Sequence, residues 1–195
     1  MNNVNVMLEN IIHLPNESLE ALRNIRNESQ IRKWMYTDHI ITTEEHNAWI
    51  IKQRTCTTNI NFLIRLNHEH TVGAVSVNNI DMERKKADWA FYLTRSVRTG
   101  LGAVIEFHIL DYVFDQLQLE ELNCEVLGGN VSVLSLHNKF GFTHNGLKKD
   151  KLVRNDNLFD IHLLSINKST WHTTRSKITD KYFKLLQSHT LAVVL

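Results

Sequence analysis

Two closely spaced glycines, Gly100 and Gly102, separate a strand-like run from a long segment that contains neither glycine nor proline. The run at 87–94 is rich in aromatic and small apolar residues and predicts a strand buried on both faces. The segment at 103–117 predicts a helix. A helix that begins at glycines exposes its first backbone N–H groups, and the macrodipole adds partial positive charge there. The spacing predicts a phosphate-binding site or, as the alternative, a plain strand-to-helix turn.

Two known phosphate motifs do not fit this loop. No lysine followed by serine or threonine comes after the glycines, as a P-loop needs, and no third glycine stands at dinucleotide spacing. The next stretch, 121–142, supplies a second strand, a turn at 128–130, a helix that opens at Asn130, and a Lys-Phe-Gly-Phe ending. This order of elements resembles the GNAT acyltransferase superfamily: strand, glycine loop, helix, strand, asparagine-led helix and the Lys-Phe-Gly-Phe ending. The resemblance covers roughly residues 7–168.

The resemblance to GNAT enzymes implies a fold and a cosubstrate. The fold is an α/β (α+β) domain with a mixed, mostly antiparallel twisted sheet of about seven strands, flanked by about four helices. The cosubstrate is acetyl-CoA, whose pyrophosphate lies in the glycine loop and whose pantetheine arm runs beside the helix opened by Asn130. The cofactor-binding residues implied in this way are Leu93, Arg98, Thr99, Gly100, Leu101, Gly102, Ala103 and Asn130.

Two positions depart from the family pattern. The family usually has glutamine or arginine three residues before the first loop glycine, where this chain has Val97, with Arg98 one place later. The family's usual tyrosine, seven residues after the asparagine, is replaced by His137. These departures leave open a GNAT-like domain that binds acetyl-CoA without catalysis.

Acetyl transfer to an amine needs a base for the nitrogen, a donor for the carbonyl oxygen and a proton for the leaving thiolate. Since a thioester is already activated, a correctly placed amine attacks it directly and no covalent enzyme intermediate is required. Glu125 is the candidate base, acting directly or through water, because strand alternation places it beside the glycine loop; the alternative is a structural carboxylate paired with a cation. His137, at the tyrosine position, is the candidate acid; the alternative is a packing or hydrogen-bonding group.

A basic and aromatic segment between two predicted helices is the second informative stretch. It combines Arg26 with Trp34, Met35 and Tyr36, which suit an anionic, ring-bearing ligand. The alternative is a solvated helix end with aromatic residues in the core.

The order of these residues, followed by His46 and Trp49, is similar to GNAT enzymes that acetylate the 4-amino group of a UDP-linked amino sugar in pseudaminic acid biosynthesis. The early pattern is also similar to Rim-type protein N-terminal acetyltransferases, which act on peptides. The first resemblance implies a UDP-amino-sugar substrate whose pocket is lined by Arg26, Trp34, Met35, Tyr36, His46 and Trp49.

The rest of the pattern predicts the elements that position these residues. Strands are predicted at 5–14, 61–66, 71–80, 147–153 and 158–166, and helices at 17–29 and 43–54. Asn16 is a candidate N-cap, and Thr42 with Glu45 has capping-box spacing. Residues 1–170 are expected to form a single GNAT domain, and 171–195 a C-terminal extension that is either a short helix or disordered.

The amino-acid composition limits which partners, compartments and metals are expected. The 195 residues include 22 Lys plus Arg and 21 Asp plus Glu, a net charge of +1, which predicts no nucleic-acid or membrane surface. The amino terminus lacks an apolar signal segment and no apolar run approaches about 20 residues, so we expect a cytoplasmic protein, monomeric or homodimeric. Cys56 and Cys124 show no partner pattern, and His68 with His70 lacks a third ligand, so no metal is expected.

Overall fold

The computed structural model describes residues 3–97, 100–154 and 157–195, which fold around one mixed eight-stranded sheet. The strands are β1 (Val4–Asn10), β2 (Ile60–Leu66), β3 (His70–Asp81), β4 (Lys86–Leu93), β5 (Glu121–Leu127), β6 (Thr143–Arg154), β7 (Asn157–Asn167) and β8 (His189–Val194). The helices are α1 (Asn16–Arg26), α2 (Ser29–Arg32), α3 (Thr43–Arg54), α4 (Leu101–Asp111), α5 (Val131–Phe140), α6 (Lys168–Lys181) and α7 (Phe183–Gln187). A 3₁₀ turn follows β1 at Ile11–His13, and a π-helical turn extends α4 at Tyr112–Gln116.

The sheet has the order β6-β7-β5-β4-β3-β2-β1-β8. Two neighbouring pairs, β4–β5 and β1–β8, are parallel, and the other five pairs are antiparallel. The prediction of a mixed, mostly antiparallel sheet is therefore confirmed. The eighth strand and the three helices beyond the predicted four come from short segments and from the C-terminal residues.

Strands β4 and β5 separate after a short paired stretch. Their partners run only from Lys86 opposite Glu121 to Asp88 opposite Asn123. Beyond that point β5 continues its pairing with β7, and β4 continues its pairing with β3. The two strands therefore splay apart toward their carboxyl ends and open a cleft in the middle of the sheet.

The cleft explains why the prediction for β4 was wrong in one respect. Ala87 and Trp89 are buried, but Ala90 is exposed and the residues around it are only partly buried, so the strand alternates instead of being buried on both faces. A strand buried on both faces needs side chains packed against each face, but one side of β4 borders the open cleft. The aromatic residues of β4 instead form a wall of the cleft.

Local signals set the ends of the first helices. The capping box at α3 is confirmed, since the Glu45 N–H donates to Thr42 Oγ1 at 3.2 Å and the Thr42 N–H donates to Glu45 Oε2 at 2.7 Å. The predicted N-cap at Asn16 was wrong, because the extended residue before α1 is Pro15 and no side chain caps that end. The first strand also ends earlier than predicted, where the Asn10 side chain accepts the Ile12 N–H and starts the 3₁₀ turn.

The C-terminal residues complete the sheet. Residues 171–195, predicted to be a short helix or disordered, form most of α6, all of α7 and β8, and β8 pairs in parallel with β1. Trp171 is fully buried and packs against Phe107 and Phe140, with ring centroids 5.3 and 6.1 Å away. These contacts tie the segment to the same core. No helix in the described ranges is both long and apolar enough to span a membrane.

Candidate active site

A cavity of about 830 Å³ occupies the cleft between β4 and β5. One wall is the aromatic face of β4, and the opposite wall is formed by β5 and α5. The α2 end closes it from outside with Trp34 and Met35, and Trp49 reaches it from α3. Among the residues predicted to act in the site, the cavity is lined by Trp34, Met35, Trp49, Leu93, Glu125, Asn130 and His137.

Glu125 lies on this wall at the centre of a hydrogen-bond network. Strand alternation is as expected, with Cys124 buried in the core and Glu125 exposed. The Lys148 ammonium on β6 donates to Glu125 Oε1 at 2.6 Å, and the Tyr36 hydroxyl donates to Oε2. Tyr36 thus joins the site through Glu125.

The network also sets the charge state of Glu125. Burial alone would raise the pKa of its carboxyl, but the hydrogen bonds from Lys148 and Tyr36 outweigh this effect and hold the pKa below its ordinary value. The carboxylate is therefore ionised at neutral pH, and its basicity is reduced. The Tyr36 hydroxyl has a raised pKa, mainly from burial and then from its bond to Glu125, so it remains a donor.

His137 lies deeper, on the α5 side of the cavity. It is 3% exposed and surrounded by the rings of Trp89, Phe91 and Phe142, at centroid distances of 5.3, 6.5 and 5.0 Å. Its Nδ1 lies 3.0 Å from Oε1 of Glu106, a fully buried carboxyl on α4. The ring nitrogen left for a group in the cavity is Nε2.

The amino-terminal end of α4 meets the requirements of an anion cradle. Gly100 has φ of 109°, in the left-handed region where a side chain is strained, and a Cβ there would lie 2.8 Å from Leu185. The N–H groups of Ala103 and Val104 bond to the Gly100 carbonyl, which leaves those of Leu101 and Gly102 without an intrahelical acceptor. Two N–H groups that lack an intrahelical acceptor, at the positive end of a helix, suit a pyrophosphate.

Some of the predicted cofactor and acceptor residues are not among the described residues that line the cavity. Arg98 and Thr99 fall outside the described residues. The Arg26 guanidinium donates to the Thr37 carbonyl at 2.8 Å and does not line the cavity in the described residues. His46 is buried, stacks on Trp49 at 5.7 Å and donates its Nε2 proton to the Leu19 carbonyl at 3.0 Å. The roles assigned to Arg26 and His46 remain predictions; their contacts support the walls of the site.

His46 should make folding stability depend on pH. Burial lowers the pKa of its imidazole in the fold, so the unfolded chain takes up a proton first as the pH falls below about 6.5. Stability supplied by neutral His46 is present above that pH and is lost progressively below it. We expect His46→Gln, whose amide reaches the same carbonyl, to change the unfolding free energy at about pH 8 by no more than about 1 kcal/mol.

Urea unfolding of both proteins at about pH 8 and about pH 5.5 measures this difference. The wild-type protein should lose more stability between the two values than His46→Gln, and equal losses would contradict the prediction. His68→Gln, an exposed histidine in the β2–β3 turn, is the matched control.

Two polar residues of the site were not found from sequence. Lys148 stands in a run of four charged residues, 148–151, where nothing marks the one that faces Glu125. Glu106 carried a signal, since it is the only Asp, Glu, Lys or Arg in the apolar run 101–110, and a charge in that setting needs a buried partner. Within the described ranges, no three His, Cys, Asp or Glu side chains are grouped as metal ligands.

Comparison with known proteins agrees with this architecture. The family model for the acetyltransferase (GNAT) domain matches residues 11–143. Acetyltransferase PseH from two strains of Campylobacter jejuni is 26% identical over 138 residues, covering 71% of this chain and 85% of the relative. The crystal structure of spermidine N-acetyltransferase from Vibrio cholerae in complex with CoA and spermine has a TM-score of 0.78 at 17% identity, covering 87% of this chain and 98% of that chain. A chimera of the same Vibrio cholerae enzyme with hSSAT has a TM-score of 0.76.

The family match spans more than half of the chain and includes the cleft, α4 and the asparagine that precedes α5. The GNAT fold expected from the glycine loop and the Asn130 helix is thereby confirmed. The structural neighbours, at 17% identity, support the fold alone. GNAT acetyltransferases use acetyl-CoA, and this chain is an acetyltransferase that belongs to the GNAT family.

Proposed function

We propose that this enzyme transfers the acetyl group of acetyl-CoA to the 4-amino group of a UDP-linked amino sugar, as a step of pseudaminic acid biosynthesis. The observation that carries the proposal is the charge of the cavity. Among the described residues, its charged lining consists of Lys33, Arg95 and Glu125, and Glu125 is already neutralised by Lys148. Two exposed cations at the cavity suit an acceptor that carries a diphosphate.

The aromatic and apolar lining suits the rest of such an acceptor. Trp34 packs over the turn after β5, with its ring 3.7 Å from where a Gly129 Cβ would stand, and Lys33 Nζ lies 4.9 Å from the centre of that ring. A flat aromatic surface beside a cation favours a nucleotide base joined to phosphates. Met35 adds an adaptable apolar surface for a deoxy-sugar methyl group.

The comparisons support this substrate class over a polyamine. The sequence relatives carry the name PseH, whereas the spermidine enzymes share only the fold at 17% identity. A polyamine is a polycation and needs unpaired carboxylates, but the acidic residue of the described lining is bound to Lys148. The Rim-type alternative would place a peptide in the same cleft.

Each step of the chemistry falls to a residue of the chain. The N–H groups at the start of α4 hold the pyrophosphate, and Leu93 and Asn130 line the path of the pantetheine arm. Glu125, directly or through water, accepts the proton that the attacking amine loses. His137 donates a proton to the departing sulfur. Acetyl-CoA, when bound, supplies an activated thioester, so positioning and proton transfer are the protein's contribution.

Release of free thiol from acetyl-CoA tests the proposal. The purified protein is incubated with a UDP-4-amino-4,6-dideoxy sugar, with a ribosomal-protein amino-terminal peptide, with spermidine, or with no acceptor. We expect thiol release that depends on the UDP-sugar, together with an acetylated sugar product. Release only with the peptide or with spermidine would overturn the substrate assignment, and release with none of them would favour a binding domain without catalysis.

Trp34→Ala should weaken the acceptor site specifically. Loss of a base-stacking surface is expected to raise the KM for the UDP-sugar about 10-fold, in line with the usual worth of such contacts. The KM for acetyl-CoA should stay near the wild-type value. Steady-state kinetics with each substrate varied in turn measure both constants, and Phe183→Ala, an exposed aromatic on α7, is the control. A rise confined to the acetyl-CoA KM would place Trp34 at the CoA site instead.

A further inference from the structure

Glu106 is a buried acid whose position has no structural need for a charge. It lies in the second turn of α4 among apolar neighbours, and its side chain is fully buried. One carboxyl oxygen contacts His137 Nδ1 at 3.0 Å, and the other, Oε2, is buried with no hydrogen-bond partner in the described part of the chain. A buried carboxyl oxygen without a partner costs stability. This cost indicates that the interaction of Glu106 with His137 serves another purpose.

His137 connects this carboxyl to the cavity. Trp89 and Phe142 restrict the ring on its other sides, and the cavity reaches it between β4 and α5. Because Nδ1 is occupied by Glu106, the ring can present only Nε2 to a group in the cavity. A carboxylate that binds one imidazole nitrogen fixes the orientation of the ring and stabilises its protonated form.

We propose that Glu106 is a positioning residue that holds His137 with Nε2 toward the reacting sulfur and favours the imidazolium that protonates it. This inference rests on the proposed acetyl transfer, and it gives a physical role to the histidine at the position where the family usually has tyrosine. A phenol needs no partner to be a donor at neutral pH, whereas an imidazole in an apolar pocket needs a nearby carboxylate to hold its proton.

The proton balance of the step is complete. As the carbon–nitrogen bond forms and the carbon–sulfur bond breaks, the Nε2 proton of His137 moves to the sulfur, and the ring becomes neutral. The amine proton passes to Glu125 and on to water, and a proton from water recharges the ring. Glu106 keeps its hydrogen bond to Nδ1 throughout and transfers no proton.

Among the residues that the structure describes, two other ionisable groups interact electrostatically with Glu106 besides His137. Cys124 on β5 and the Tyr182 hydroxyl after α6 both have a coulombic interaction with Glu106. Both have raised pKa values, chiefly because of burial. Burial also raises the pKa of Glu106, and the hydrogen bond with His137 opposes that effect. His137 is therefore the hydrogen-bonding partner of Glu106 in this pocket.

Amide substitutions separate positioning from packing. His137→Asn keeps an N–H near the Nδ1 position, so the bond to Glu106 survives while Nε2 is lost. His137→Gln fills the site of Nε2 without an ionisable group. Glu106→Gln keeps an acceptor for His137 and removes the charge. Thermal unfolding of each variant identifies any that fail to fold.

Turnover as a function of pH is the main measurement. We expect His137→Asn and His137→Gln to lower kcat about 100-fold, with little change in either KM. Glu106→Gln should lower kcat about 10-fold at alkaline pH and move the alkaline limb of the profile to lower pH, because the imidazolium loses its counter-charge. In the His137→Asn background the same change at Glu106 should alter kcat by less than about twofold. Equal effects of Glu106→Gln in both backgrounds, or an unshifted limb, would make the pair structural.

A substrate-free measurement separates this inference from the proposed acceptor. NMR of the histidine ring nitrogens between about pH 5 and about pH 9 follows the charging of His137, identified by its loss in His137→Asn. Charging at lower pH in Glu106→Gln than in wild type supports the inference even if the UDP-sugar is not the acceptor. Charging at the same pH in both proteins overturns it, even if the UDP-sugar is acetylated.

Discussion

Replacing Gly102 by glutamate is expected to weaken acetyl-CoA binding about 100-fold while leaving the protein folded. Two like charges about 6 Å apart at an effective dielectric constant of about 20 repel by about 3 kcal/mol, which corresponds to about that factor. The new carboxylate would also compete with the pyrophosphate for the N–H groups of Leu101 and Gly102. A negative charge in the first turn of a helix is favourable to the helix itself, so folding should survive.

Gly102→Ala is the matched control for this experiment. A Cβ at Gly102 would meet Leu136 at 3.4 Å and Phe91 at 3.6 Å, which are the ends of adaptable side chains. The alanine variant should therefore fold and bind acetyl-CoA within a few-fold of wild type. Calorimetry measures both affinities. Wild-type affinity in a folded Gly102→Glu protein would show that the pyrophosphate does not bind at this helix end.

Glu125→Gln is expected to lower kcat about 100-fold and to leave the KM for acetyl-CoA unchanged, since only the proton acceptor is removed. The amide retains an oxygen that accepts from Tyr36 or Lys148, so the wall of the cavity should keep its shape. Glu121→Gln is the control, because Glu121 lies on the same strand and outside the cavity lining. Turnover near the wild-type value in Glu125→Gln would make Glu125 a structural carboxylate, the alternative that the sequence left open.

The pH profile adds a second check on Glu125. Because its pKa is held below the ordinary value of 4.5, turnover that needs the carboxylate should persist as the pH falls toward that value. Lys148→Met removes the 2.6 Å hydrogen bond and should move the acidic limb to higher pH. An acidic limb that stays in place in Lys148→Met would assign that limb to another group.

Most of the features that were predicted correctly depend on residues close together in sequence. The capping box of Thr42 and Glu45, the β2–β3 hairpin and the inward and outward alternation of Cys124 and Glu125 all follow from caps, turns and periodicity over a few residues. The same local signals predicted that α4 follows Gly100 and that α5 follows Asn130. The resemblance to the GNAT family rested in part on these two helices.

Contacts between distant segments were decided by the tertiary structure. Tyr36 meets Glu125 across 89 residues, and Glu106 meets His137 across 31, because the splayed strands bring α2, α4, α5 and β6 to one cleft. The partner of Lys148 among several charged neighbours depends on the register of β6 against β7 and of β7 against β5.

The sequence by itself determined the fold class, the glycine-led helix and the residue types of the site, since these depend on local propensity and spacing. The tertiary structure alone decided which side chains share the cavity, which carboxylate is exposed and held by Lys148, and which is buried with His137. It also decided that β8 completes the sheet, because the edge of β1 lies nearly the whole chain away from its partner. Side-chain periodicity states which face of an element is apolar, but only packing selects what that face meets.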